Sequence, residues 1–235
     1  MANCITRHIP NTLTCCNLIS GCMATGSAFY GNYEWAVIMI VIGAVFDFFD
    51  GMSARLLHVS SPIGKELDSL ADVVTFGVAP SAMLFHLFTQ VVYPEVLKPV
   101  QHLVPYTAFL MAAFSALRLA KFNLDERQTS SFIGLPTPAN ALFWSSLILG
   151  NLGFLISEKF NAVFLFLFML LFCFLLVAEI PLFALKFKNL KWQDNKIKFI
   201  FILGCLPAFI FLGFSSFAVI ILWYLFLSIV ARRWS

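Results

Sequence analysis

DFFDGMSARLLHVSSPIGKELDSLAD, residues 47–72, places four carboxylates in two pairs, and the fold is read outward from them. Asp47 and Asp50 stand three apart, Asp68 and Asp72 four apart, so each pair occupies one face of its own helix. The turn Val59-Ser-Ser-Pro-Ile-Gly64 separates them. This spacing predicts an antiparallel hairpin with all four acids near the inner, cytoplasmic end of two membrane helices. One carboxylate inside a span costs about 2.5–3.5 kcal/mol, and four cost on the order of 10 kcal/mol at the bilayer centre. Positive charge has to compensate. Clustered hard oxygen ligands suit Mg²⁺, Mn²⁺ or Ca²⁺, and two such ions about 4 Å apart are the usual clamp for phosphoryl displacement. Gly51 and Ala54 clear one helix face for a nucleotide, and Gly64 allows a tight start to the next helix. Arg55 offers a forked cation for diphosphate oxygens.

The rest of the chain explains why these acids are expensive. Of 235 residues, 60% are hydrophobic and 11% charged, with a mean hydropathy of +0.89. A soluble domain carries about 25% charged residues, so the composition places the chain in lipid. A formal charge of +3 is too small to suggest nucleic acid. Apolar stretches run near 13–31, 34–57, 69–92, 104–122, 136–157 and 161–185. A longer block, 197–231, exceeds one span and is divided at Pro207 and Gly213-Phe-Ser-Ser216 into 197–212 and 216–231. The expectation is an all-α, polytopic bundle of eight spans with a retained first span and both termini cytoplasmic. In that topology every lysine and arginine except Lys98 and Lys159 falls on the inner side, a marked positive-inside asymmetry. The basic segment 186–198 reads as a topology anchor at the lipid surface. The cysteines form no C-x-x-C and read as small packing residues.

The full pattern is D-x-x-D-G-x-x-A-R, eight residues, then G-x-x-x-D-x-x-x-D. It resembles the signature of the CDP-alcohol phosphatidyltransferase family. Three further stretches, Pro10-Asn11-x-Leu13-Thr14-x-x-Asn17, Ala116 to Asn123 and Phe132 to Ala139, resemble its membrane-embedded phosphatidylserine synthases. The resemblance implies a six-helix core, taken here as residues 1–190, followed by a C-terminal transmembrane hairpin, 191–235. It also implies that Asp47, Asp50, Asp68 and Asp72 hold two divalent ions, Mg²⁺ or Mn²⁺. Asn11, Thr14, Gly51, Ala54, Arg55 and Gly64 would surround the CDP moiety of CDP-diacylglycerol. Asp72 would double as the base that takes the proton of the L-serine hydroxyl, and a homodimer is expected.

Serine is a zwitterion, and Arg118 is the better of two cations to hold its carboxylate, with Lys121, Ser115 and Asn123 beside it. The alternative is that Arg118 and Lys121 snorkel to headgroups and set topology. Glu179, before Pro181, reads either as a functional intramembrane acid or as a hydrogen-bonded residue at a helix kink. Glycerol 3-phosphate and inositol phosphate are competing acceptors, both calling for a larger basic cluster. A cation transporter would place its acids near the midplane and show an internal repeat, which this sequence lacks. A catalytically dead scaffold would not need an intact acidic set.

Overall fold

The computed structural model describes residues 4–59, 61–124, 132–183 and 192–231. Helix follows helix: α1 Cys4–Phe29, α2 Tyr33–Leu56, α3 Pro62–Asp72, α4 Ala79–Gln90, α5 Leu110–Leu124, α6 Thr137–Leu155, α7 Ala162–Val177, α8 Trp192–Leu212 and α9 Ser216–Ala231. A π-helical segment, Val73–Val78, joins α3 to α4 without a break. Among the described residues three helical runs are long and apolar enough to cross a bilayer: Tyr33–Leu56, Pro62–Gln90 and Asn195–Val230. Several of the loop cations counted for topology, Arg127, Lys186, Lys188, Lys191, Arg232 and Arg233, lie outside the described residues.

The interior is largely apolar but takes in a set of polar side chains, while large apolar side chains also cover the outside. On α1, Thr14, Asn17 and Ser20 are buried, while Ile19 and Met23 are more than half exposed. Thr75, Ser81, Ser115, Thr137, Asn140, Ser145 and Ser146 are likewise interior. That distribution suits a lipid surround, where exposed apolar side chains cost nothing and polar ones seek one another.

Close packing of α1, α2 and the π segment fixes the architecture near the acids. A side chain at Gly21 would run into the backbone of Thr75, and one at Gly43 would meet Thr75 Cγ2 at 2.6 Å. The Thr75 hydroxyl, held between the two glycines, donates to the Asn17 carbonyl at 3.0 Å. Within the π segment the ladder widens to five residues, with the Ala79 N–H reaching the Val74 carbonyl. Pro80 follows directly; its ring crowds the preceding turn and it has no N–H to donate, so the wider turn relieves the ladder there.

Two expectations change. The sixth stretch does not continue to 185. Helix α7 stops at Val177, and Pro181–Leu182 (β2) pairs antiparallel with Phe132–Ile133 (β1). Gly134, with φ of +75°, follows β1, and any side chain there would meet the carbonyls of Leu176 and Ala178 at 2.9 Å. The Gly134 and Leu135 N–H groups donate to the carbonyls of Ile180 and Leu175, both at 2.9 Å. The strap thus satisfies carbonyls that a helix end leaves open. Glu179 consequently lies past the end of α7 and is exposed, so it is not a residue at a kink within the helix.

The second change concerns residues 47–72. Helices α2 and α3 scarcely touch through their backbones; α1 packs against both, and they face each other across their carboxylates. A simple hairpin would have left no room between them.

At the other end of the chain, Asn195–Val230 would reach about 54 Å if straight, well beyond a hydrocarbon core of about 30 Å. It turns at Gly213, φ +53°. The ring of Phe201 packs on Tyr224, Gly204 lies against the Trp223 indole, and Phe209 meets Phe217, the register of an antiparallel pair. Pro207 stays inside α8 and does not contribute to the turn.

The two ends of the bundle are also distinguishable. The Ala162 N–H donates to the Val92 carbonyl at 2.9 Å, so the loops bearing Lys98 and Lys159 meet at one end. Lys65 Nζ donates to the Asn123 carbonyl at 3.2 Å at the other.

Candidate active site

Helix α2 carries Asp47 and Asp50 in its second half, and α3 starts anew after His58 takes a left-handed φ of 52°. Ser61 caps α3 by accepting the Gly64 N–H at 3.0 Å, with Pro62 in the first turn. Gly64 also lies against α1: a side chain there would meet Asn11 Oδ1 and Ser61 Oγ, each at 3.0 Å. This approach brings α3 alongside α1 and turns Asp68 towards α2.

Oxygens of Asp47, Asp50 and Asp68 come within 4.8 Å of one another. Asp47 also faces Asp72. Two α1 side chains hold the group in place. The Thr14 hydroxyl donates to Asp50 Oδ2 at 2.7 Å, and Asn17 Nδ2 donates to Asp72 Oδ1 at 3.3 Å. Among the described residues no lysine or arginine nitrogen lies within 4.0 Å of any of the four carboxylates. Asp68 Oδ1 is buried with no hydrogen-bond partner. Like charges this close in a low-dielectric bundle repel strongly. Three convergent carboxylates, one of them with an orphaned oxygen and none ion-paired, fit a divalent cation.

Beside this group opens a cavity of about 220 Å³ lined by Pro10, Asn11, Thr14, Asp50, Gly51, Ala54, Val59, Ser61, Gly64, Lys65 and Asp68. Five of the residues expected around CDP therefore line one space: Asn11, Thr14, Gly51, Ala54 and Gly64. The environment of Gly51 is informative. A side chain there would meet nothing within 4 Å, so this glycine does not serve helix packing and leaves the cavity wall bare. Arg55 is exposed and does not line the cavity. The cation in the wall is Lys65, which sequence reasoning overlooked because it stood outside the acidic motif's fixed positions.

The residues expected around serine divide in two. Ser115 and Arg118 are buried, whereas Lys121 is exposed and Asn123 Nδ2 donates to Ser69 Oγ at 2.8 Å. A side chain at Gly77 would meet Ser115 Cβ at 3.0 Å, so α5 lies directly on the π segment. Ser115 Oγ and Arg118 Nε have no hydrogen-bond partner, and the same holds for Thr137 Oγ1 and both amide atoms of Asn140 on α6. Each such buried atom costs about 1–3 kcal/mol. Asn17 was legible within a quoted motif but had no role assigned; Thr137 and Asn140 had none either.

Residues 7–187 match the family model described as CDP-alcohol phosphatidyltransferase, a stretch that contains the whole acidic group and ends before α8. Three similar proteins carry the name CDP-diacylglycerol–serine O-phosphatidyltransferase. That of Bacillus subtilis is 39% identical over 136 residues, covering 56% of this chain and 70% of its own. That of Helicobacter pylori strain J99 is 33% identical over 192 residues, 78% of this chain and 74% of its own. The protein of Methanocaldococcus jannaschii is 32% identical over 195 residues, 75% of this chain and 87% of its own. With the acidic pattern folded around one cavity and the family match spanning most of its length, the chain belongs to the CDP-alcohol phosphatidyltransferases.

Proposed function

We propose that this protein transfers the phosphatidyl group of CDP-diacylglycerol to L-serine, giving phosphatidylserine and CMP. The observation that carries the proposal is the convergence of Asp47, Asp50 and Asp68, with an orphaned Asp68 oxygen, on a cavity walled by Gly51 and Gly64. Serine as the acceptor rests on the names of the relatives.

Asp47, Asp50, Asp68 and Asp72 are the residues that would hold two divalent ions, Mg²⁺ or Mn²⁺. Bound there, the ions would neutralise the diphosphate charge as it develops on the leaving CMP. Thr14 keeps the Asp50 carboxylate oriented, and Asn17 does so for Asp72. Asn11, Ala54 and Gly64 frame the nucleotide with Gly51, and Lys65 supplies a cation at the rim, with Arg55 close outside it. Asp72 accepts the proton of the serine hydroxyl. The freed oxygen bonds to the phosphorus bearing diacylglycerol, the bond from that phosphorus to the CMP oxygen breaks, and CMP carries the electron pair away. The energy resides in the diphosphate, so ATP is not required.

In this reading the core is six membrane helices with α8 and α9 as an added hairpin. Both termini are cytoplasmic, the acids face the cytoplasm and the enzyme works as a homodimer. The placement of the Lys98 and Lys159 loops at the end opposite Lys65 supports that orientation.

The test is CMP release by purified protein from CDP-diacylglycerol with serine, glycerol 3-phosphate or inositol phosphate in parallel. Serine alone should support turnover; release with another acceptor and none with serine would overturn the acceptor. Asp72→Asn should keep CDP-diacylglycerol binding and turn over about 100-fold more slowly or worse, the contribution of a general base. Loss of binding together with turnover would make Asp72 chiefly a metal ligand.

A further inference from the structure

Asn17 of α1 is engaged at both ends. Its side-chain amide donates to Asp72 Oδ1 at 3.3 Å, and its main-chain carbonyl accepts the Thr75 hydroxyl at 3.0 Å. Asp72 and Thr75 stand three residues apart, so one turn at the start of the π segment brackets a single α1 residue. Asn17 and Thr75 are both fully buried.

A carbonyl inside a helix already serves the N–H four residues on, and the side chain of that fourth residue stands beside it. For Asn17 the fourth residue is Gly21. A side chain there would land on Thr75 Oγ1 and press on the Thr75 backbone. Its absence is what lets a second donor reach the carbonyl's other lone pair. The methyl of Thr75 uses a second gap. Thr75 Cγ2 and Asn17 Oδ1 together occupy the space that a side chain of Gly43 on α2 would need, at 2.6 and 2.9 Å. Threonine therefore fits in two ways, as a hydroxyl against α1 and as a methyl against α2. Serine lacks the second and valine lacks the first.

The Asn17 amide has little else to hold it, since its Oδ1 is buried with no partner. Its bond to Asp72 is at the long end of the range for N–H to oxygen, so a small slide of α1 would break it. Whether the amide reaches Asp72 depends on the register between α1 and the π segment, and Thr75 sets that register. We infer that Thr75 is a positioning residue for the reaction: its hydroxyl locks α1 where Asn17 can orient Asp72. Thr75 does not line the nucleotide cavity. The inference rests on the part proposed above for Asp72 and adds a residue outside the acidic pattern.

The experiment joins steady-state CMP release by the full chain with equilibrium binding of CDP-diacylglycerol. Thr75→Val keeps the shape and the methyl and removes the hydroxyl. Its kcat should fall by about threefold to tenfold, the scale of one hydrogen bond. The KM for each substrate and the Kd for CDP-diacylglycerol should stay within about twofold, as expected when only the transition state loses support. Thr75→Ser, which keeps the hydroxyl, should hold kcat within about twofold. In an Asn17→Ala background Thr75→Val should cost less than about twofold more, because Thr75 acts through Asn17. Full kcat in Thr75→Val would overturn the inference. So would Thr75→Ser as slow as Thr75→Val, or losses that multiply in the double variant. A parallel rise in KM and Kd would overturn it too, by marking general damage to the site. Should Thr75→Val fail to fold, Gly43→Ala takes its place, since its methyl presses on Thr75 Cγ2 and Asn17 Oδ1. Lower kcat at unchanged KM is then expected, and unchanged kcat would overturn the inference. Wild type that releases CMP with another acceptor and not with serine would overturn the serine reading alone; the variants are then assayed with that acceptor.

Discussion

Two cavities among the described residues bear comparison: the larger of the two is not the one that the acids line. The cavity among α1, α2 and α3 is about 220 Å³ and is walled by carboxylates, an amide, hydroxyls and a bare glycine backbone. The cavity among α6, α7 and α9 is about 380 Å³ and its wall is nearly all leucine, phenylalanine, alanine and valine, with Asn151 and Ser215 as exceptions. Asn151 spends its amide on the Leu147 carbonyl, 3.3 Å away. A hollow of that kind offers no polar partner to water or to a charged substrate. What distinguishes the smaller space is unsatisfied valence: an orphaned carboxylate oxygen and carboxylates without counter-charges. In a lipid-embedded protein, where apolar surface is everywhere, unmet polar demand marks a site better than volume does.

Removing that demand should have the largest effect. Asp68→Asn or Asp47→Asn replaces an anionic oxygen by a neutral amide, and turnover should fall at least about 100-fold even in abundant Mg²⁺. Chelation of wild-type protein should abolish CMP release, and Mn²⁺ or Mg²⁺ should restore it. Full turnover in EDTA would erase the contrast between the two cavities.

Filling the space should have a middling effect. Gly51→Val puts a side chain into a wall with no protein neighbour, so thermal stability should hold while the KM for CDP-diacylglycerol rises about tenfold or more. An unchanged KM would show that the nucleotide sits elsewhere. The smallest effect is expected at the other cavity. Ala218→Leu fills apolar space near Leu165 and Phe168 and should stabilise by about 0.5–2 kcal/mol, leaving turnover unaltered. A loss of activity there would give the larger cavity a part in the reaction.

The acids were legible because their logic is local. A spacing of three or four residues sets a shared helix face, and Gly64 sits within a few residues of the turn that needs it. The turn at Gly213 was legible for the same reason. Arg55 against Lys65 was not, since which cation points into the cavity depends on how α3 is rotated after His58 leaves the helical region. The end of α7 escaped notice because apolar runs carry no sign of a strap arriving from residues 132–135. Thr137 and Asn140 were invisible for a subtler reason. A threonine and an asparagine at a helix start look like ordinary capping chemistry, and only the packed bundle reveals that neither has anything to bond.

The π segment has a further consequence as a phase device. Relative to an unbroken α-helix it holds one surplus residue, so everything from Ala79 onward is turned by about 100° against Asp68 and Asp72. Shortening Val73–Val78 by one residue would produce a smoother helix of nearly the same composition. The chain could then seat Met83, Leu87 and Phe88 in their present surroundings or point its last two carboxylates at Asp47, but it could not do both in one rotation.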